Sequence, residues 1–303
     1  MIAYLFPGQG SQYPGMAKEF AEAFPSARAM MQEADDFLHI HLSKTMIEGP
    51  EEVLRQTEYT QPAIFLHSMI ALKHDEDRLE PQATAGHSLG EYTAFTAAGS
   101  LEFKDALELV YLRGRLMAEA GKRSSGTMAA IIGMEAARIA ELCEEVENNT
   151  GQIVRPANFN SPGQIVVSGS NFGVHEVMRR AKEQGVRIAK ELTVSGAFHS
   201  PLMQYAADGL REALQSTDIE EPSIPVFSNV TAEPVNDPED IRTLLVEQLT
   251  SPVKWEQSVK NMYDFGVREF VEYGPGKVLQ GLVSRTLSNV KVTGVEKPKV
   301  VAA

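Results

Sequence analysis

The stretch Ala85-Gly86-His87-Ser88-Leu89-Gly90-Glu91 constrains the fold more than any other. It contains Gly86-x-Ser88-x-Gly90, preceded by the small and β-branched segment Ala83 to Ala85 and followed by a helix-like run, Tyr92 to Ala98. In that context the pattern reads as strand, sharp turn and helix, with a serine at the turn. Such a turn strains the serine backbone, and glycines on either side supply positions with no side chain to collide. The hydroxyl then stands at a helix N-terminus, where the positive end of the dipole favours a developing negative charge. Taken alone, the same residues describe a glycine-bounded turn with a capping serine. The rest of the chain has to decide between the two.

Upstream, Ile2 to Phe6 reads as a buried strand running into Pro7-Gly8-Gln9-Gly10-Ser11-Gln12. A glycine-rich turn there places backbone N–H groups at a sheet edge, where ligands of open α/β folds bind. No Gly-Lys-Ser/Thr follows, so it is not a phosphate-cradling loop. Apolar residues recur at helical spacing from Met16 to Phe37, with Pro25 separating two helices. Glu33 to Glu58 carries seven acidic residues against two basic ones, a solvated face, and Pro62 to Leu72 reads as a buried helix. Leu101 to Ala120 is a long amphipathic helix whose stripe runs Ala106, Leu109, Val110, Leu112, Leu116 and Met117. Arg113 falls on or beside that stripe. A cation there snorkels to solvent, is paired internally, or waits for an anionic ligand.

Residues 127–194 have a rhythm of their own: β-α-β-β-α-β, the order of a ferredoxin-like unit. The segments on either side read as one α/β core, so the unit is taken as an insertion. The expected organisation is a core of 1–126 and 195–303 with a subdomain at 127–194. After it come a helix from Pro201 to Gln215 and a short strand from Ile224 to Asn229. Helices follow at Asp237 to Leu249 and Val253 to Phe265, then a strand from Arg268 to Tyr273 and a helix from Val278 to Leu287. Val290 to Val295 is expected as a last strand and Glu296 to Ala303 as a disordered tail. This alternation of strands and helices predicts a mostly parallel sheet.

Composition closes several classes. With 43% apolar and 23% charged residues, the 303-residue chain is of ordinary globular make-up. No apolar run approaches the roughly 20 residues of a membrane span. The start, Met1 to Phe6, lacks a basic region and is cut short by Pro7-Gly8, so it is not expected to be a secretory signal. A single cysteine, Cys143, fits a reducing cytoplasm and reads as a packing residue. The net charge of −13 argues against nucleic acid or an anionic membrane as the main partner. Gly173 to Lys190 reverses that balance, with five basic residues against two acidic.

A serine nucleophile needs a base. Of seven histidines, His199 in Gly196-Ala197-Phe198-His199-Ser200 is favoured by position, because it opens a helix downstream of the serine. No acid stands at a strand end between Ser88 and His199, so an amide or a backbone carbonyl is expected to orient the imidazole. Neither metal-ligand spacing nor a dinucleotide fingerprint appears.

Six motifs now stand in order: Pro7-Gly8-Gln9-Gly10-Ser11-Gln12, Gly86-His87-Ser88-Leu89-Gly90-Glu91, Leu112-Arg113-Gly114, Asn158 to Gln164, Gly196 to Ser200, and Tyr273-Gly274-Pro275-Gly276. Together they resemble the malonyl-CoA:acyl carrier protein transacylases and the related acyltransferase domains of polyketide synthases. The resemblance runs from Ile2 to about Val295. It implies an α/β-hydrolase-like core with a ferredoxin-like insertion, and roles for individual residues. Ser88 would be the acylated nucleophile and His199 its base. The backbone amides of Gln9 and Leu89 would form the oxyanion hole, and Arg113 would grip the malonyl carboxylate. The main-chain carbonyl of Gln248 would orient the histidine. Phe198 would fill space that a methyl branch needs, and Met117 would line the same pocket.

The resemblance further implies malonyl-CoA as substrate, no cofactor, a cytoplasmic monomer, and an acidic acyl carrier protein as partner. Docking such a partner to a chain of net −13 needs a local basic surface. The candidates are Arg179, Arg180, Lys182 and Arg187, or alternatively Lys277 and Arg285. Competing expectations are a serine hydrolase built on the same Ser88 and His199, a stand-alone polyketide acyltransferase, and a non-catalytic carrier-binding module.

Overall fold

The computed structural model describes residues 1–299. Its strands are β1 Ile2–Phe6, β2 Ala83–Gly86, β3 Thr127–Ile132, β4 Val154–Ser161, β5 Gln164–Gly169, β6 Ile188–Glu191, β7 Val226–Phe227, β8 Pro234–Val235, β9 Glu269–Tyr273 and β10 Lys291–Val295. They form two sheets. The larger has the order β10-β9-β1-β2-β7-β8 and is parallel except at its edge, where β8 runs antiparallel to β7.

Strand β1, near the centre, shows why the sheet is covered on both faces. Successive strand residues point to opposite sides. Ala3 and Leu5 join Phe227, Trp255, Val259 and Phe270 in one apolar cluster. Tyr4 and Phe6 join the other, built with helices Thr57–Lys73, Gly90–Ala97 and Phe103–Arg123. The helix Thr57–Lys73 is buried on nearly every side, which explains its lack of an amphipathic stripe.

The smaller sheet, β4-β5-β3-β6, is wholly antiparallel. Helices Ala136–Thr150 and Asn171–Glu183 pack on it through Ile139, Leu142, Val146, Val174 and Val177. Cys143 packs in the same cluster, and burial pushes its thiol up to about 12. Two seams tie this unit to the core. A Cβ on Gly121 would lie 2.0 Å from the Ser195 carbonyl oxygen, so the returning chain lies against the helix from which it departed. Phe159 donates its N–H to the Val253 carbonyl at 2.9 Å, and Val253 donates to Ala157 at 2.8 Å.

Several expectations are corrected. Residues Glu296 to Lys299 do not form a disordered tail. Their end of the chain is anchored by Lys297 on Glu19 and Lys299 on Asp75 and Asp77, and Glu296 accepts from the Gly276 N–H. Residues 300–303 lie outside the described part. The acidic stretch from Glu33 to Glu58 is not only a solvated face: it holds the short helices Leu42–Glu48 and Glu51–Leu54, which bury Leu42, Met46 and Leu54. The charge reversal after Gly173 is partly cancelled locally. Arg179 pairs with Glu176 and Glu183, and Arg180 with Glu176. Among the described residues no helix is long and apolar enough to cross a membrane.

The elbow itself is a matter of clearance. A Cβ on Gly86 would lie 1.8 Å from the Gly90 carbonyl group, and one on Gly90 would lie 2.0 Å from the Phe6 carbonyl oxygen. Gly99 differs: its φ is +78° but open space surrounds it. Gly90→Ala should therefore lose about 3 kcal/mol or more, since backbone must move. Gly99→Ala should lose only about 1 kcal/mol, the left-handed backbone penalty. Urea unfolding of both variants checks this, and equal losses would mean that close approach does not set the Gly90 position.

Candidate active site

Ser88 sits between β2 and helix Gly90–Ala97 with φ +53°, a strained conformation for a non-glycine residue. Asn229, just beyond β7, holds it there. Its side-chain oxygen accepts the Ser88 N–H at 2.6 Å and its side-chain nitrogen donates to the Gly86 carbonyl at 2.6 Å. The strain is thus balanced by two hydrogen bonds across the turn.

His199, also at positive φ (+57°), brings its Nε2 to 2.8 Å from the Ser88 Oγ. Its Nδ1 lies 2.7 Å from the backbone carbonyl of Gln248. A carbonyl only accepts, so Nδ1 carries the proton and Nε2 is left to accept from the serine. No aspartate is needed for that tautomer. Burial, then the positive charge of Arg113, hold the imidazole down to about 3.

Arg113 lies at the middle of helix Phe103–Arg123 and is fully buried. It does not snorkel. Its Nη2 donates to the Ser88 Oγ at 3.1 Å and to the Gln248 side-chain oxygen at 2.7 Å, and its Nη1 donates to the Gln61 side-chain oxygen at 2.9 Å. The Tyr92 ring flanks it, 5.7 Å from centroid to guanidinium carbon. Among the described residues no carboxylate forms an ion pair with it. Its partners are amides and a hydroxyl, which satisfy hydrogen bonds without neutralising the charge.

Ser88, His199 and Arg113 line a cavity of about 100 Å³ with Gln9, Leu89, Met117 and Phe198. A cavity of this size has room for a short acyl group. Gln9 follows Gly8, where a Cβ would meet the His87 carbonyl oxygen at 2.5 Å, so the Pro7–Gln9 turn lies directly on the elbow. Among the described residues neither the Gln9 nor the Leu89 backbone N–H donates to another protein group. Met117 receives the Gln61 side-chain nitrogen at its sulfur, 3.2 Å away. From the inserted unit, Met128, Asn158 and Leu192 close the cavity. A larger groove of about 720 Å³ near Met30, Met69 and Phe103 holds no nucleophile–base pair.

All eight residues singled out in the sequence thus meet at one place: seven line the cavity, and Gln248 touches both His199 and Arg113. Sequence reasoning missed Asn229, Gln61, Glu91 and Asn160. The Asn160 side-chain oxygen accepts from His87 Nε2 at 2.8 Å. Glu91 is buried against Gln248 and Asn229, and burial pushes its carboxyl up to about 7 against the pull of those donors and of Arg113. Gln61-Pro62 and Ser228-Asn229 carry no spacing signal, since their partners are distant in the chain.

An elbow serine, a neutral base and a small pocket on an α/β sheet define a serine acyl-transferring or acyl-hydrolysing protein. The acyl transferase domain family model matches residues 3–302. The malonyl CoA-acyl carrier protein transacylase of Bacillus subtilis is 46% identical over 301 residues, covering 99% of this chain and 95% of that one. The corresponding transacylase of Escherichia coli K12 is 40% identical, covering 100% and 98%. Among solved structures, the transacylase of Coxiella burnetii superposes with TM-score 0.95 at 38% identity, covering 98% of this chain and 94% of that one. A complex of a type II polyketide acyl-carrier protein with its malonyl-transacylase gives 0.94 at 40%, covering 98% and 96%. The chain belongs to the malonyl CoA-acyl carrier protein transacylase family of acyl transferases.

The imidazole environment makes a direct prediction. The ring signals of His199 in a histidine NMR titration should stay at their neutral positions from about pH 8 to about pH 5. A midpoint near the ordinary 6.5 would show that burial and Arg113 do not act on it.

Proposed function

We propose that this chain transfers the malonyl group of malonyl-CoA to the phosphopantetheine thiol of acyl carrier protein through a malonyl-Ser88 ester, supplying fatty acid synthesis in the cytoplasm. The observation that carries this is Arg113, a buried cation 3.1 Å from the nucleophile whose partners are neutral. A hydrolase of neutral esters has no use for it; an acyl group ending in a carboxylate does. The reading requires no cofactor, since phosphopantetheine arrives on the partner, and no second subunit. We take 1–126 with 195–303 as the catalytic core and 127–194 as the insertion.

Ser88 Oγ attacks the thioester carbonyl while His199 Nε2 takes its proton. The Gln248 carbonyl holds the imidazole in the required tautomer. The Gln9 and Leu89 N–H groups are the donors for the oxyanion, and losing one such donor typically costs about 2.7–4 kcal/mol. Collapse expels the CoA thiolate, which takes the proton from His199. The carrier thiol then repeats the sequence in reverse on the ester. One thioester replaces another, so no external energy is needed. Phe198 and Met117 limit the space around the α-carbon.

The basic surface for the carrier protein is better supplied by Lys277 and Arg285. Both are exposed and without a carboxylate partner among the described residues, whereas Arg179 and Arg180 are already paired. Arg285 donates to Gln164 of the inserted unit at 3.0 Å, at the seam between the two sheets. Lys277→Glu with Arg285→Glu should raise the carrier-protein KM and weaken its salt dependence, while malonylation of Ser88 by malonyl-CoA stays unchanged. An unaltered KM would move docking elsewhere.

Intact-protein mass spectrometry after brief mixing with malonyl-CoA tests the chemistry. A malonyl adduct is expected on the native chain, absent in Ser88→Ala and discharged by a carrier-protein thiol. Free malonate without an adduct would make it a hydrolase. A charge-assisted pair is worth roughly 1.5–3 kcal/mol, so Arg113→Ala should lose about ten- to 150-fold of the malonyl-over-acetyl preference. An unchanged preference would remove Arg113 from substrate recognition.

A further inference from the structure

The mechanism leaves Glu91, a buried ionisable side chain beside the nucleophile, without a task. Glu91 stands on the first turn of the helix that follows Ser88 and is fully buried. Both its oxygens face donors. One accepts the backbone N–H of Asn229 at 3.0 Å, and the other accepts from Gln248 Nε2. The same Gln248 nitrogen donates to the Ser88 carbonyl at 2.9 Å. Its oxygen therefore faces the other way and accepts from Arg113 Nη2 at 2.7 Å.

An amide nitrogen and oxygen are nearly equal in size, so packing alone does not choose between the two orientations of Gln248. An acceptor-only neighbour does. If the amide were reversed, its oxygen would meet the Glu91 carboxylate and the Ser88 carbonyl, and its nitrogen would meet the Arg113 guanidinium. Every contact would be mispaired in a buried site, where an unmade hydrogen bond carries its full desolvation penalty. Burial opposes the charge on Glu91, while the facing donors and Arg113 favour it.

We infer that Glu91 is a positioning residue for acyl selectivity: its carboxylate fixes the Gln248 amide, and the Gln248 oxygen in turn holds the Arg113 guanidinium beside Ser88. The inference rests on the reading of Arg113 as the partner of the malonyl carboxylate. Because the Gln248 backbone also orients His199, base and selectivity residue are both held by one residue, through its carbonyl and its side chain.

Glu91→Gln is the test, since it keeps the shape and removes the second acceptor. Two donors then converge on a group with one oxygen, and one contact becomes N–H against N–H. The kcat/KM ratio for malonyl-CoA over acetyl-CoA should fall about tenfold, the effect of one mispaired buried charge-assisted contact. General destabilisation lowers both substrates alike and leaves the ratio. A wild-type chain that prefers malonyl-CoA and a folded Glu91→Gln chain with the same preference would overturn the inference alone. A wild type without preference would overturn the Arg113 reading and this inference with it. Neutron diffraction from wild-type crystals exchanged in D2O gives a second measurement that needs no variant. Deuterons on the Gln248 atom facing Glu91 are expected, and deuterons on the atom facing Arg113 would overturn the inference.

Discussion

A guanidinium held in the interior by neutral oxygens is the constraint on which the rest of the site turns. Burying a charge without a counter-ion costs several kcal/mol even after relaxation. The chain meets that cost with three directed acceptors on three different elements: Gln61 on the helix Thr57–Lys73, Gln248 at the end of Pro238–Glu247, and the Ser88 hydroxyl. Nearby Glu91 supplies negative charge without touching the arginine. The result is a cation whose terminal nitrogens are bonded to neutral oxygens, whose Nε–H has no partner among the described residues, and which touches no carboxylate. A surface arginine could not do this, because solvent would screen it before a substrate arrived.

The elbow obeys a second, purely steric constraint. Gly86 and Gly90 let strand, turn and helix approach within distances no Cβ allows, and Asn229 holds the strained serine between them. Strain of this kind persists only when its surroundings over-determine it. Here they do so from distant parts of the chain, since Asn229 lies beyond the inserted unit and Phe6 lies at its start. The inserted sheet then roofs the pocket with Met128, Asn158 and Leu192. Core and insertion therefore both line the small cavity, although the nucleophile and base belong to the core alone.

What could be read in the sequence follows from range. The parallel sheet, the β-α-β-β-α-β unit and the elbow are local patterns, periodicity and glycine spacing, and they were legible. So was Arg113, because a cation on an apolar stripe contradicts its surroundings. Asn229, Gln61 and Glu91 were not, because a polar residue's partner 50 to 150 positions away leaves no trace in spacing. Glu91 in particular stands in the elbow motif with nothing in the sequence to show what its side chain meets. The tail failed for a related reason: Lys297 and Lys299 look solvated until Glu19 and Asp75 are brought to them by the fold. Strand β7 is shorter than the run Ile224 to Asn229 that suggested it, because pairing partners and not propensity set its length.

The use of a carbonyl in place of a carboxylate behind His199 is explained by the same arginine. A carboxylate in place of the Gln248 side-chain amide would stand at the 2.7 Å contact with Arg113 and become its ion-pair partner. The cation would then be neutralised from within and of little use to an incoming carboxylate. A backbone carbonyl fixes the imidazole tautomer and adds no charge. The penalty falls on the base, whose proton affinity is lowered by burial and by Arg113 together. Two features offset it. A thioester has a better leaving group than an amide, so less assistance is required of the base. On the proposed reading, a malonyl carboxylate bound to Arg113 would offset the part of that weakening that comes from the guanidinium, leaving the larger part due to burial. Acetyl-CoA brings no such charge. On that proposed reading selectivity would be felt twice, once in binding and once in the strength of the base, and both effects would depend on Arg113 having no carboxylate in contact with it.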